Sequence, residues 1–285
     1  MIQKVTEAFQ EYYYLRLHKI HRFEPKISID QKIGSFRLKT ADQIDELKKA
    51  FQLRYEVFQK ELKGSFKKSG WDIDHHDFQC DHLIIVDERT GQIAATCRLH
   101  LNPSMPDFYA SREFNLDRIL RTDGLKIELG RACIKQNYRR ALVISLLWRG
   151  LSEYINKSQA QLIFGCASIP IKTPREAALL HRYFYEMRKF TPEYLCPPTL
   201  AYSMPDFEAW EAHYKRSLTS TEKFEAQSLI PGLFKQYLEM GACLGGEPAW
   251  DEEFGCIDFL TILDRENLNR YFWKRRNSEQ VSTQP

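Results

Sequence analysis

Three consecutive stretches decide the fold: KIELGRACI at 126–134, ALVISLLWRGLSEYI at 141–155 and LIFGCASI at 162–169. The first and the third are short apolar runs, which is typical of buried strands. The middle stretch is long and strongly apolar, which favours a helix packed on the core. The order strand, helix, strand predicts a crossover connection in a sheet that is flanked by helices.

Strands on either side of this unit extend the predicted sheet. Residues 82–86 and 93–100 form an apolar hairpin around a turn at Thr90-Gly91. A short strand is predicted at 35–39 and a last one at 255–263. Because a hairpin is antiparallel and a crossover is parallel, we expect an α/β fold with a mixed sheet.

Helix signals lie between these strands. Thr40, with Gln43 at the capping-box position, predicts the start of a helix that runs to about Leu62. Thr173 precedes a proline and a capping-box glutamate, and it predicts the start of a second helix. The proline-rich residues 191–230 are expected to be irregular.

Bulk composition excludes several classes of function. The formal net charge is +3, so the chain is not a strongly basic nucleic-acid-binding protein. No apolar stretch approaches the ~20 residues of a membrane-spanning helix, and charged residues interrupt any N-terminal signal peptide. The seven cysteines are scattered through apolar runs, which is typical of reduced thiols. We therefore expect a cytoplasmic protein, with peripheral contact at the inner membrane as an option.

We divide the chain at residues 34 and 263. Residues 1–34 are predicted to be an N-terminal helical extension, because an apolar stripe at helical spacing runs through 2–20. The catalytic domain is predicted at 35–263. Residues 264–285 are expected to form a basic and aromatic segment with a loose tail, either packed as a helix or in contact with an anionic membrane surface.

The first candidate site combines an arginine with downstream acids. Arg54 and Phe58 lie four residues apart on one predicted helix face, and Asp74 and Asp77 follow in a loop. An arginine on a buried helix face needs a carboxylate or backbone partner, which the aspartates can supply. They can equally bind the ammonium group of an amino acid, or remain solvated beside nearby lysines.

The second candidate is Glu128, which lies between apolar neighbours on the predicted strand 126–134. Burial would raise its pKa, and a glutamate tuned in this way can take a proton from an amine. Arg131 would face the other side of a regular strand unless a bulge turns it. A structural ion pair is the alternative for both residues.

The third candidate is the start of the helix that follows. Arg139, Arg140 and Ala141 stand where backbone N–H groups are free and the helix dipole favours an anion. A phosphate group is the predicted ligand, and ordinary surface charge is the alternative. No third ligand has convincing spacing from His75-His76, so no metal is expected.

Several separate motifs carry a resemblance to a known family, in the family's order. They are LRYEVF at 53–58, CDHLI at 80–84, ELGRAC at 128–133, LLWRGL at 146–151, FGCAS at 164–168, GGEPAW at 245–250 and GCIDF at 255–259. Over about 35–263 the chain resembles the ornithine-acyl carrier protein N-acyltransferases, often labelled hemolysin-like, of the GNAT superfamily. That resemblance implies a splayed mixed sheet and transfer of a fatty acyl group to the α-amine of an amino acid, ornithine being the usual acceptor. It implies no cofactor beyond the acyl-pantetheine arm of acyl carrier protein, which is a co-substrate.

The resemblance also implies residue roles. Glu128 would act as the base and a strand N–H near Arg131 would stabilise the oxyanion. The stretch 139–144 has no glycine, whereas most GNAT enzymes have a glycine-containing loop there for the CoA pyrophosphate. This departure favours a carrier-protein donor. Basic side chains proposed for carrier docking are Arg139, Arg140, Arg149, Lys172, Arg175, Arg182, Arg188 and Lys189.

Two other readings remain open at this point. The chain also resembles, more distantly, the acyl-homoserine lactone synthases, with Arg54, Phe58, Asp74, Asp77 and Arg98 among the matching site positions. The stretch 245–263 does not fit that second family. A non-catalytic module that binds carrier protein or lipid is the third possibility.

Overall fold

The computed structural model describes residues 23–62, 64, 70–101, 107–171, 173–268 and 270. The chain divides into two compact units, Met1–Leu101 with Leu129–Gln159, and Asn102–Glu128 with Ala160–Pro285. Three predicted features lie wholly or partly outside the described residues. They are the helix at 2–20, residues 269 and 271–285 of the C-terminal segment, and Lys172.

The first unit contains an antiparallel sheet. Its strands are β1 (Asp30–Ile33), β2 (Phe36–Thr40), β3 (Asp81–Asp87) and β4 (Gln92–Leu101), each paired with the next in sequence up to β4. The predicted hairpin is confirmed as β3 and β4, with Gly91 in the left-handed region of the turn. Strand β1 precedes the boundary that we drew at residue 34.

Two helices of this unit cover opposite faces of the sheet. Helix α1 (Ile44–Arg54) continues as a π-helical segment (Tyr55–Leu62), and α1 residues share an apolar cluster with Ile84. The long helix α3 (Ala141–Ser158) brings Gly150 against Leu83, on the other face of β3. A β-carbon at Gly150 would lie 2.6 Å from a methyl group of Leu83, so a larger residue here would force the packed side chains to shift.

The predicted cap of α1 is wrong. The helix begins one residue after Gln43, which makes no side-chain cap hydrogen bond. Thr40 instead ends β2, where its hydroxyl accepts from the Ile29 N–H at 2.9 Å and donates to the Ile27 carbonyl at 2.9 Å. Thr40 belongs to the strand rather than to the helix, because the Thr40 hydroxyl satisfies backbone groups of the neighbouring chain segment.

The second unit contains a mixed sheet. Residues 126–128 open β5 (Lys126–Ile134) and pair in parallel with β6 (Leu162–Ile169), which pairs antiparallel with β9 (Cys256–Asp264). The short strands β7 (Cys243–Leu244) and β8 (Ala249–Asp251) also pair with β9. The predicted α/β fold with a mixed sheet is confirmed.

Helices of the second unit are α2 (Asp117–Leu120), α4 (Pro174–Glu186), α5 (Phe207–His213), α6 (Ser220–Leu229) and α7 (Gly232–Glu239). Thr173 caps α4 as predicted, because its hydroxyl accepts from the Glu176 N–H at 3.3 Å. The expectation of an irregular 191–230 is wrong, since α5 and α6 lie within it. Prolines there separate the helices rather than abolish them.

In the part of the chain that is described, no helix is both long enough and apolar enough to cross a bilayer.

Candidate active site

Buried arginines and aspartates form a network in the first unit. Arg54 is 1% exposed, and its guanidinium binds both oxygens of Asp77 at 2.6 and 3.1 Å and Asp72 Oδ2 at 3.1 Å. Arg98 Nη1 donates to Asp74 Oδ1 at 2.6 Å and to Asp77 Oδ1 at 3.1 Å. Bidentate pairs of this kind are the strongest ion pairs available to a side chain.

Arg131 completes the network from β5. Its φ of 50° lies in the left-handed region, so the regular alternation of the strand is broken at this residue. The guanidinium Nη2 donates to Asp74 Oδ2 at 3.1 Å, and Nε lies 3.6 Å from Asp72 Oδ2. Arg131 therefore lies with two acids of the network, Asp72 and Asp74.

Charge compensation decides the ionisation of these acids. Burial opposes the charged form of Asp72, but Arg131 and Arg54 prevail and lower its pKa to about 2. The same balance, with Arg98 as the strongest cation, holds the pKa of Asp74 well below its usual range. Asp74 also caps the 3-10 turn His75–Phe78, and its own N–H donates to Asp77 Oδ2 at 2.7 Å. Three arginines thus balance three carboxylates.

Phe58 lies apart from this network. It is in the π-helical segment, whereas Arg54 ends the α-helix, so a regular α-helical turn does not relate the two. Phe58 is half-buried and packs against the apolar cluster that includes Val57 and Cys133. The structure therefore brings together Arg54, Arg98, Arg131, Asp74 and Asp77 from the predicted set, and adds Asp72.

Glu128 is buried in the second unit, at 5% exposure. Its two carboxylate oxygens accept the backbone N–H groups of Tyr109 at 2.9 Å and Ala110 at 2.6 Å. These bonds anchor the 3-10 turn Tyr109–Arg112 to the end of the parallel pair, where Glu128 stands beside Phe164. The carboxylate is thus fixed in position, as a catalytic base must be. Its role as the base stays a prediction.

The start of α3 is exposed, as a phosphate site would require. Arg140 is the N-cap residue in extended conformation and makes no side-chain cap bond, and Arg140 and Ala141 are both exposed. Arg139 pairs with Glu61 and also donates from Nε to the Ile134 carbonyl at 3.1 Å. Of the two arginines, Arg140 is the one without an ion pair among the described residues.

Sequence reasoning missed a group of acids in the second unit. Glu113, Asp251 and Asp258 are all buried, and Asp258 receives a hydrogen bond from the Ser168 hydroxyl at 2.6 Å. Asp258 offered one signal, an aspartate in the middle of the apolar strand 255–263. Glu113 offered none, because it lies in a connection without periodicity.

Comparisons with known proteins concern the family and the class of enzyme. The model of the family described as Acetyltransferase (GNAT) domain matches residues 53–149. The L-ornithine N(alpha)-acyltransferase of Brucella abortus (strain 2308) is 29% identical over 254 residues, which cover 84% of this chain and 87% of that protein. The enzyme of the same name from Rhizobium meliloti (strain 1021) is 28% identical over 256 residues, covering 84% and 83%.

Among solved structures, a CoA-dependent acyl-homoserine lactone synthase, BjaI, bound to SAM and isopentyl-CoA, aligns with a TM-score of 0.44 at 15% identity. The alignment covers 81% of this chain and 82% of that chain. The resemblance drawn from the sequence motifs is thereby confirmed by the similarity to the two ornithine acyltransferases. With the GNAT domain, that similarity confirms the predicted enzyme class: the chain is an acyltransferase.

Proposed function

We propose that this enzyme transfers a fatty acyl group from acyl carrier protein to the α-amine of ornithine. The observation that carries the proposal is the 29% identity, over 84% of the chain, to a protein named L-ornithine N(alpha)-acyltransferase. The product is an N-acyl amino acid, which is itself a lipid. We place the enzyme in the cytoplasm, with peripheral contact at the membrane that receives this product.

The chemistry is direct transfer. Glu128 takes a proton from the α-ammonium group, and the free amine attacks the thioester carbonyl. The new C–N bond forms, the C–S bond breaks, and the pantetheine sulfur leaves as a thiol with the proton that the amine gives up. A backbone N–H near Arg131, where the left-handed residue breaks the strand, is the proposed donor to the oxyanion.

A cysteine intermediate is not required. Burial raises the pKa of the Cys133 thiol to about 12 and raises that of Cys166 well above its usual range. Both thiols are therefore protonated near neutral pH, and the thiol form is a poor nucleophile. This protonation supports attack by the amine itself.

The acceptor side of the proposal concerns the arginine–aspartate network. Its members Arg54, Arg98 and Asp77 are 3% exposed or less and already bind one another. Asp74 and Arg131 keep 22% and 17% of their side-chain surface exposed. We propose that the amino acid contacts these two, while the buried members hold them in place. The substrate-binding role predicted for Phe58 stays a prediction.

The proposed binding site for the acyl donor is the exposed start of α3. Ala141 and the N-cap Arg140 are proposed to bind the phosphodiester of the carrier arm, with Arg139 beside them. Purified enzyme should acylate ornithine faster from acyl carrier protein than from acyl-CoA at equal concentration. A clear preference for acyl-CoA would contradict the choice of donor and leave the transfer reaction standing.

The decisive test is expression in a host without amino-acid-derived lipids, followed by mass spectrometry of the lipid extract. We expect a new N-acyl ornithine, lost in Glu128→Gln. Glutamine keeps one oxygen to accept the N–H of Tyr109 or Ala110, so circular dichroism should show an intact fold. The matched control is Glu252→Gln, an exposed acid.

Two outcomes would count against the proposal. Near-normal product from Glu128→Gln would remove Glu128 as the base. No new lipid from folded protein, with acyl-homoserine lactone in the medium, would favour a lactone synthase instead.

A further inference from the structure

His82 is a polar side chain on a buried face of the first unit. It is the second residue of β3 and is 0% exposed. Because side chains alternate along a strand, His82 and Ile84 share the face that α1 covers, whereas Leu83 lies on the face that α3 covers. The centroid of the imidazole ring lies 5.2 Å from that of the Phe51 ring of α1, edge to face. A polar ring in such a place needs a hydrogen-bond partner.

One nitrogen of the imidazole has such a partner. Nε2 of His82 lies 2.9 Å from the backbone carbonyl oxygen of Asp77. A carbonyl only accepts, so Nε2 must carry the hydrogen and donate it. Nδ1 is buried and has no hydrogen-bond partner among the residues that the structure describes. In a charged ring Nδ1–H would thus be a buried donor without an acceptor, which is costly.

The surrounding charges also favour a neutral ring. Arg98 is the cross-strand neighbour of His82 on β4, and Arg54 ends α1. Burial lowers the pKa of His82, both guanidinium groups add to that effect, and the Asp77 carboxylate opposes it. His82 is therefore a neutral donor whose hydrogen is on Nε2.

The hydrogen bond from His82 reaches the turn that carries the proposed acceptor contact. Asp77 lies in the 3-10 turn His75–Phe78, and Asp74 is the N-cap residue of that turn. The Asp77 carboxylate accepts the Asp74 N–H at 2.7 Å and also binds two arginines of the network. His82 thus holds the backbone of the residue whose side chain holds Asp74. The Asp74 side chain keeps 22% of its surface exposed.

Packing alone does not explain an imidazole at this position. The neighbouring rings are aromatic, and the centroid of the Phe23 ring lies 6.1 Å from that of His82. An apolar side chain would fill the same space without leaving Nδ1 unpaired. What the imidazole adds is the hydrogen bond to the Asp77 carbonyl.

We propose that His82, as a neutral imidazole, is a positioning residue for the amino-acid acceptor. It donates to the turn His75–Phe78 and so holds the Asp74 carboxylate where the acceptor binds. The inference rests on the proposed function, because Asp74 is a proposed contact of the amino acid. His82 is wholly buried, so it acts on acceptor binding through the turn and not on the reacting atoms.

Two substitutions separate the hydrogen bond from the packing. His82→Leu fills the space without a donor, whereas His82→Gln places an amide N–H close to the position of Nε2. With acyl carrier protein as donor, we expect His82→Leu to raise the KM for ornithine about tenfold, the value of one hydrogen bond. Its kcat should change less than about threefold, because the lost interaction serves binding. His82→Gln should keep a KM near that of wild type.

Leu83→Ala is the matched control. Leu83 is the next residue of the same strand, is 0% exposed and packs on the opposite face against Gly150. The variant should lose stability through lost packing and keep the wild-type KM for ornithine. Circular dichroism sets an assay temperature at which every variant is folded. A rise in KM shared by His82→Leu and Leu83→Ala would be an effect of stability and would overturn the inference.

Nitrogen-15 NMR of labelled histidine gives a readout that is independent of the acyl donor. The signals of His82 are those missing from the spectrum of His82→Gln. At pH 6 we expect a neutral ring with its hydrogen on Nε2, although a histidine with the ordinary pKa of ~6.5 is mostly charged at that pH. A charged ring, or a hydrogen on Nδ1 alone, would overturn the inference.

The kinetic outcomes separate this inference from the proposed function. If wild type acylates ornithine and His82→Leu keeps the wild-type KM, the inference is overturned and the function stands. If His82→Gln is as impaired as His82→Leu, the hydrogen bond is not the cause and the inference is again overturned. If wild type does not acylate ornithine, the proposed function fails and the inference that rests on it falls too.

Discussion

Buried carboxylates occur in both units of the molecule, and their surroundings differ in one respect. In the first unit Asp72, Asp74 and Asp77 meet Arg54, Arg98 and Arg131, and the pKa of each of these aspartates is lowered. In the second unit the buried acids Glu113, Asp251 and Asp258 form what we call the carboxyl cluster, and the pKa of Glu113 is raised to about 9. Burial alone therefore does not decide whether a buried carboxyl group is ionised. The local charge balance does.

Removal of one cation from the balanced network should have the largest effect. Arg54→Ala leaves Asp72 and Asp77 buried without their main partner, at an expected cost of ~3–5 kcal/mol in the free energy of unfolding. Chemical denaturation of purified protein measures the loss. Arg89→Ala is the control, because Arg89 pairs with Asp87 while 73% of its own side chain is exposed, and its effect should be small. Equal losses in the two variants would show that the network contributes no special stability.

A second, smaller effect concerns the free energy of unfolding at low pH. The folded pKa of Asp72 is about 2, below its unfolded value, so its stabilising contribution is present above pH ~4 and lost as pH falls toward 2. This contribution is ~2 kcal/mol by linkage. Unfolding free energies at pH 6 and pH 3 should therefore differ less in Asp72→Asn than in wild type. An identical acid dependence in the two proteins would remove Asp72 as a source of acid sensitivity.

The stability contribution of Glu113, in the carboxyl cluster, should depend on pH in the opposite direction. Because the folded pKa of Glu113 lies above its unfolded value, its contribution is fully present below pH ~4.5 and is lost as pH rises through about 9. Wild-type Tm should fall by several degrees between pH 6 and pH 9.5, and Glu113→Gln should flatten that fall. A Tm fall that is the same in both proteins would contradict an uncompensated acid at this position.

The sheet was more predictable than the sites. Apolar runs in the sequence predict strands β3, β5, β6 and β9, because a strand that is buried on both faces needs apolar side chains on both. Helices α5 and α6 were missed because proline-rich composition was read as irregular structure. Thr40 was misassigned as a cap because a hydroxyl serves a strand end and a helix start equally well.

Among the site residues, Arg54 and the aspartates were predictable as possible partners, since a buried arginine requires acids. That Arg131 reaches them depends on the left-handed backbone at Arg131, which no local sequence signal specifies. In the carboxyl cluster, Asp251 and Asp258 lie on the adjacent strands β8 and β9, whereas Glu113 is more than 130 residues earlier in the sequence. No local sequence signal brings Glu113 to that strand pair.

The division of β5 between the units has a consequence for synthesis on the ribosome. Residues 126–128 belong to the second unit and 129–134 to the first, so the chain leaves the first unit at Leu101 and returns at Leu129. Every residue of the first unit has been translated once Gln159 is added, whereas the second unit still lacks β6 and β9. The arginine–aspartate network can thus assemble while the nascent chain still grows. The carboxyl cluster must wait for Asp258, so a chain that stops before residue 258 contains every residue of the ion-pair network and lacks one acid of the cluster.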